Sequence, residues 1–304
     1  MQLGVHIGQQ NMTMDEMRAI WCRFDAAGID WISLWDHIYE VPPAGGTIPH
    51  FEAVASLAAL AADTQHARLG CLVFYVGYRN PGLLAKAATT IDHISGGRFE
   101  LGIGGGWHEW EAKAYGYDFP GVGARLDMLD EAAGLITSYL TNDRTTHSGE
   151  YFGADDASML PQPVRGQMPL WIGGVGEKRT LKIVARHATG WNAAYISPDE
   201  YARLGRILDQ HCEDAGRDPA TIERSINLMF DLGRDEASLA APWGAMWDRV
   251  SGGSLHGTPE QAVDRILEYR DAGADMVNIA LRAPVDPDII DAYLTETVPA
   301  VRAA

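Results

Sequence analysis

The 304-residue sequence predicts an α/β fold, a (β/α)8 TIM barrel with loop insertions, and three observations carry that reading. Short β-type runs alternate with longer helical patterns, which is the signature of parallel strands joined by crossover helices. The alternation makes eight βα units over roughly 290 residues, the size at which such barrels close, whereas a doubly wound open sheet would use fewer units. No internal repeat or low-complexity linker divides the chain, so residues 1–304 read as one domain.

Leu3–Ile7 is the first strand, and the helix that follows is N-capped by Thr13 and closes at Gly28. Ile29–Trp35 is the second strand and Phe51–Asp63 an alanine-rich helix. Ala67–Phe74 is the third strand, and Pro81–Ile94 is a helix stopped by Ser95-Gly96-Gly97. Arg98–Gly102 is the fourth strand, followed by a Gly- and Trp-rich segment and a helix from Arg125 to Leu140. Residues 142–168 form a polar, proline-bearing insertion with a hairpin expected around Thr145–Phe152. Pro169–Ile172, Gly190–Ala194, Ser225–Asp231 and Met276–Leu281 complete the strands, with helices over Pro198–Ala215 and Pro259–Ala272. A second insertion covers 232–256 and carries Trp243 and Trp247 at helical spacing. Both insertions are candidate lids. For the tryptophan pair, packing onto the barrel is an equal alternative.

Bulk properties exclude several function classes. A net charge of −17 opposes nucleic acid and anionic lipid as partners, because phosphates repel such a field. The longest apolar run, Ala53–Ala62, is interrupted by Ser56 and is too short for a membrane span. The opening MQLGVHIG lacks the basic and apolar regions of a signal peptide. Cys22, Cys71 and Cys212 are far apart and form no CxxC pair, so a reducing cytoplasm is expected rather than a disulfide framework or zinc site. There is no HExxH and no HxH on the first strand, so His6 reads as an internal wall residue rather than a metal ligand. No Gly-x-Ser-x-Gly elbow indicates an acyl-transfer nucleophile.

In a barrel of this kind chemistry sits where strands run out at their C-terminal ends. The second strand runs into Trp35-Asp36-His37, and a histidine titrating near neutrality at that place suits general acid–base work. The fourth runs into Leu101-Gly-Ile-Gly-Gly-Gly-Trp107. Four glycines in five residues there exceed what a turn needs and suggest a planar ligand pressed against the main chain. The fifth runs into Ile172-Gly-Gly-Val-Gly176, directly ahead of a basic stretch holding Lys178, Arg179, Lys182 and Arg186. Cations in the first turn of a helix oppose its dipole unless an anion sits nearby, so this segment is read as a phosphate site.

These features, in this order, resemble the luciferase-like monooxygenase superfamily, and within it the F420-dependent oxidoreductase branch. The similarity runs from Leu3 to about Leu281 and is most specific in SLWDH, LAALAADTQHARLG, GYRNPGLLAKAATTIDHISGGRFELGIGGGWHEWEAKAYGYDFP and WIGGVGEKRTLKIVARHATGWN. The resemblance implies that Asp36 and His37 lie beside the cofactor ring, the histidine handling a proton. Leu72-Val73 matches a strand-three site where the family keeps a non-prolyl cis peptide behind the ring, and Tyr75 falls near a position that hydrogen-bonds the cofactor. Gly105 and Gly106, with Trp107 after them, match the glycine loop at the ring and ribityl chain. Gly173, Gly174, Val175 and Gly176, with Lys178 and Arg179, match the phosphate site. The implied cofactor is coenzyme F420, with FMN, as in a monooxygenase of the same fold, as the alternative. A small-molecule substrate and a homodimer are implied as well.

One departure bears on substrate. The sugar-phosphate dehydrogenases of the family carry a glutamate just after the strand-four glycines, where this chain has Trp107, with Glu109 two residues on. An aromatic wall suits an apolar or planar substrate, so a reductase of enones, imines or similar acceptors is expected. A non-catalytic flavin-binding barrel is the alternative of another class, opposed by the intact Asp36-His37 pair.

Overall fold

The computed structural model describes residues 1–40, 45–233, 235–241 and 243–304. In chain order the strands are β1 (Gln2–Ile7), β2 (Trp31–Leu34), β3 (Arg68–Cys71), β4 (Phe74–Tyr75), β5 (Phe99–Gly104), β6 (Arg144–Ser148), β7 (Gly153–Ser158), β8 (Leu170–Gly173), β9 (Gly190–Ala194), β10 (Glu223–Leu232), β11 (Ser254–Gly257) and β12 (Met276–Leu281). Parallel pairing runs β1, β2, β3, β5, β8, β9, β10, β12, and β12 returns to β1, which closes an eight-position barrel. Strand β4 continues β3 after a break and pairs with β5. Strand β11 adds to the far half of β10, over Met229–Leu232.

The helices on the outside are α1 (Met14–Ala26), α2 (Ala53–Asp63), α3 (Pro81–Ser95), α4 (Glu109–Ala114), α5 (Val122–Thr141), α6 (Thr180–His187), α7 (Pro198–Asp214), α8 (Glu236–Ala240), α9 (Trp247–Val250), α10 (Pro259–Asp271), α11 (Pro287–Ala292) and α12 (Val298–Ala303). Thr13 and Glu16 form a reciprocal capping box at α1, and Thr258 with Gln261 does the same at α10. Asn80 caps α3 and Gly96 ends it in the left-handed region. No described helix is long and apolar enough to cross a membrane.

Strand periodicity decides what faces the chemistry. Leu3, Val5 and Ile7, with Ile32, Leu34, Leu69, Leu101, Ile103, Ile172, Val277 and Ile279, join the apolar cluster between barrel and helices. Each such side chain contributes about 1.5–3 kcal/mol on burial. The opposite parity fills the barrel. Trp31, Leu72, Trp171 and Met276 form a separate cluster there, and Arg68 links Glu100, Glu223 and Gln2 at the N-terminal end. Above them Asn192, Ser225, Asn227 and Asn278 share hydrogen bonds, and His6 Nδ1 lies 2.8 Å from Ser33 Oγ.

The structure corrects several expectations. The third strand is broken at Leu72–Val73, whose peptide is cis. The hairpin in 142–168 is longer than expected and lies against α5, where Glu131 accepts the amides of Glu150, Tyr151 and Phe152. It connects a helix back to a strand and packs on the outer wall, so it is not a lid over the strand ends. The 232–256 segment follows β10 and does reach the C-terminal face. There Trp243, 7% exposed, packs with Met229, Leu239 and Val250, so for this tryptophan packing prevails. Arg234 and Pro242 of that segment lie outside the described residues.

Candidate active site at the barrel mouth

Strand β2 sends Trp31, Ser33 and Trp35 into the barrel, and His37 continues that parity while Asp36 has the other one. The structure therefore divides the Asp36-His37 pair. The Asp36 carboxylate is buried behind the mouth, where it accepts from Arg79 at 2.7 and 2.8 Å and from the Tyr75 amide at 3.1 Å. Burial pushes the Asp36 carboxyl up to about 6, with Arg79 and the amide pulling against it. Burial acts to lower Arg79, yet Asp36 and Glu52 lift it above its ordinary range. Asp36 thus ties the end of β2 to β4 and to Arg79, just ahead of α3.

His37 has a different carboxylate. Its Nδ1 lies 2.7 Å from Glu111 Oε1, on α4. A carboxylate only accepts, so Nδ1 carries the hydrogen and Nε2 is left for chemistry. Glu111 is 2% exposed and also accepts the Ile38 amide at 2.9 Å and the Tyr39 amide at 3.3 Å. Burial acts to raise its pKa, but the His37 hydrogen bond, the His37 charge and the two amides hold it below the ordinary glutamate range. The imidazole is also packed edge-on by Trp35, Trp107 and His108 at ring separations of 5.3–5.8 Å. Trp107 is 52% exposed and forms an open aromatic wall beside His37. Glu109, the acidic residue nearest to the family's glutamate position, is exposed and paired with Lys113.

Sequence reading missed Glu111, and the local signal was faint. Helix α4 has six residues and no apolar period; only His108 as N-cap and acidic residues in the first turn mark it.

Across the mouth, the break in the third strand pushes Val73 between two glycines. A Cβ on Gly104 would lie 2.6 Å from Val73 Cγ2, and one on Gly173 would lie 2.9 Å from Val73 Cγ1. Only residues without side chains let this bulge occupy the space between β5 and β8. Gly106 has φ +69°, and a Cβ there would lie 2.5 Å from the Tyr75 ring. The Tyr75 ring thus sits directly under the glycine loop, its hydroxyl buried without a partner among the described residues. Arg125 braces Gly105 by donating to its carbonyl at 3.0 Å.

The segment after β8 is glycine-rich as expected, with Gly174 at φ +135° and its carbonyl accepting from Trp191 Nε1 at 2.8 Å. Val175, Gly176 and Lys178 are exposed. The helix, however, starts at Thr180 rather than around Lys178, so both cations precede it. Arg179 is paired with Asp127 of α5 and donates to the Gly123 carbonyl at 3.0 Å. Its charge is therefore answered within the chain, and the conflict with the helix dipole that suggested a phosphate falls away. What supports an anion here is the exposed glycine turn ahead of a helix without a side-chain cap, together with Lys178, which has no ion pair among the described residues.

Comparison with known proteins identifies the family. A model of the luciferase-like monooxygenase family matches residues 1–251. An uncharacterised protein of Mycobacterium tuberculosis is 32% identical over 165 residues, 54% of this chain and 56% of that protein. The F420-dependent glucose-6-phosphate dehydrogenase of Microbacterium testaceum is 30% identical over 193 residues, 62% of this chain and 56% of that one. The chain thus spans 56% of the length of these curated relatives. Among solved structures, an F420-dependent secondary alcohol dehydrogenase in complex with an F420–acetone adduct has a TM-score of 0.87 at 19% identity, over 99% of both chains. The FMN complex of the 3,6-diketocamphane monooxygenase component of Pseudomonas putida has a TM-score of 0.74 at 16% identity, over 98% of both chains. At these identities the structural likeness is one of fold. The chain belongs to the luciferase-like monooxygenase family.

Proposed function

We propose that this protein is an F420-dependent oxidoreductase that transfers a hydride between the deazaflavin and a small apolar or planar organic acceptor. The observation that carries the reading is a proton-handling dyad, His37–Glu111, at the same barrel mouth as a cradle shaped for a planar ring. The cradle residues fit such a group. Val73, flanked by Gly104 and Gly173, offers an apolar bulge for a ring to rest on, and the unpartnered Tyr75 hydroxyl and the Gly105–Gly106 backbone lie beside it. The Gly174–Gly176 turn and Lys178 are suited to a phosphate.

When bound, the deazaflavin would donate or accept the hydride at its C5. Everything else falls to the chain. His37 holds a proton at Nε2 for the acceptor, and Glu111 fixes the ring so that Nε2 faces the mouth. Trp107 and Trp35 shield that edge from water. Asp36 acts at one remove by tying β2 to Arg79. A small-molecule substrate and a homodimer belong to the same reading. The 30% identity to an F420-dependent sugar-phosphate enzyme supports the cofactor, while Trp107 at the glutamate position turns the reading away from sugar phosphates.

His37→Ala should bind F420 as the parent does, yet lose about 100-fold or more of the F420-dependent reduction of cyclohex-2-enone or another activated acceptor. Faster oxidation of glucose 6-phosphate or a secondary alcohol than reduction of any such acceptor would overturn the substrate class. A His37→Ala enzyme with full turnover would overturn the dyad.

A further inference from the structure

The wall of the mouth opposite the glycine cradle carries a cation that the proposed reaction does not use. Strand β12 sends Met276, Asn278 and Ala280 into the barrel, and Arg282, just past its end, keeps that parity. Its guanidinium lies over the Trp243 ring at 4.0 Å and over the Trp35 ring at 5.4 Å. Trp35 is also the ring against which His37 packs, at 5.8 Å. Arg282 and His37 therefore share one indole as a common floor.

The arginine has no carboxylate partner among the described residues. Most other guanidiniums do, as at Arg18, Arg68, Arg79, Arg179 and Arg203. In a chain of net charge −17, a guanidinium at the mouth of a barrel with no ion pair to a described carboxylate stands out. Stacking on indole faces orients a guanidinium while leaving its N–H edge open, and that edge matches a carboxylate in a two-point contact. His6, whose ring feels the Arg282 charge, is no competitor: it is buried, bonded to Ser33, and driven down to about 3 by burial and then by Arg282.

We propose that Arg282 is the anchor for a carboxylate on the substrate, so that the acceptor is a planar, carboxylate-bearing compound such as an α,β-unsaturated or aromatic acid. The carboxylate is held by Arg282, the apolar body lies on Trp35 towards Trp107, and the reacting carbons fall within reach of His37. The phosphate-type turn after β8 is three barrel positions away from β12, so one ligand group cannot serve both. This inference rests on the reading of the mouth as an acceptor pocket.

Calorimetric titration of the purified full chain with trans-cinnamate and with cinnamamide tests it, because the two share one shape and differ in the head group, an anionic double acceptor against a neutral amide. The parent should bind cinnamate about tenfold or more tightly than cinnamamide. Arg282→Gln should erase that preference, Arg282→Lys should retain part of it, and both should bind F420 as the parent does. A parent that binds both probes alike, or neither, overturns the proposal. So does an Arg282→Gln protein that keeps the preference, the result expected if the arginine only clasps Trp243 to the barrel, or one that loses F420, which would make the anion the cofactor's own. Should the parent prefer cinnamate but bind no F420, the anion site stands and the cofactor reading fails.

Discussion

His37 Nδ1 lies 2.7 Å from Glu111 Oε1, although 74 residues separate them in the chain. The contact makes one functional unit of two residues from different βα loops. The single changes His37→Ala and Glu111→Gln should each lower turnover, and the double change should cost little more than the worse of the two, because the second removes an interaction already lost. Glu111→Gln also weakens the acceptor for the Ile38 and Tyr39 amides, so a stability loss of about 1–3 kcal/mol should accompany it in urea unfolding. Fully additive losses of turnover would mean that the two residues act separately.

The Asp36–Arg79 clamp should have a pH signature of its own. Arg79→Met strands a buried carboxylate, which costs about 3–5 kcal/mol while the group stays charged. The Asp36 carboxyl already sits at about 6 and rises further without its cation, so at pH 5 it takes up a proton and the loss shrinks. Unfolding at pH 8 and pH 5 checks this, the larger destabilisation being expected at pH 8. Equal losses would mean that the ion pair matters little.

His6 should set part of the acid sensitivity. Burial, followed by the Arg282 and His37 charges, lowers it from 6.5 to about 3, so the folded chain holds it neutral. A depressed histidine contributes stability in full above 6.5 and loses it as pH falls towards 3, because only the unfolded chain gains the proton. At pH 5 the loss is about 2 kcal/mol. Thermal unfolding from pH 7.5 to 5 should show a shallower decline in His6→Asn than in the parent, and parallel curves would contradict the assignment.

Gly106 is required for two separable reasons. At φ +69° an alanine costs about 1–2 kcal/mol, and its Cβ, 2.5 Å from the Tyr75 ring, adds about 1–3 more. Gly28, at φ +73° with open space around it, isolates the first term. Gly106→Ala should therefore be clearly more destabilising than Gly28→Ala by chemical denaturation, and equal effects would remove the packing argument.

Much of the barrel was legible in the chain because its signals are local. Thr13, Asn80, Gly96 and Thr258 punctuate helices by their own hydrogen bonding or backbone freedom. His37 and the glycines of β5 and β8 were legible because strand ends are where barrels place chemistry. Glu111 and Arg282 were not, since each acquires its role from a partner brought near only by closure of the barrel. The break at Leu72–Val73 was expected from family likeness, whereas apolar periodicity reads straight through it. The dipole argument for Arg179 lost its footing because local sequence could not foresee Asp127, which reaches it from the neighbouring helix.

We propose above that this mouth holds a deazaflavin. The most direct test is equilibrium titration of the purified chain with F420 and FMN side by side, followed by quenching of intrinsic tryptophan fluorescence. A deazaflavin mouth should bind F420 saturably, with FMN about tenfold weaker or worse. Protein that copurifies yellow with FMN, or that binds FMN the more tightly, would contradict it.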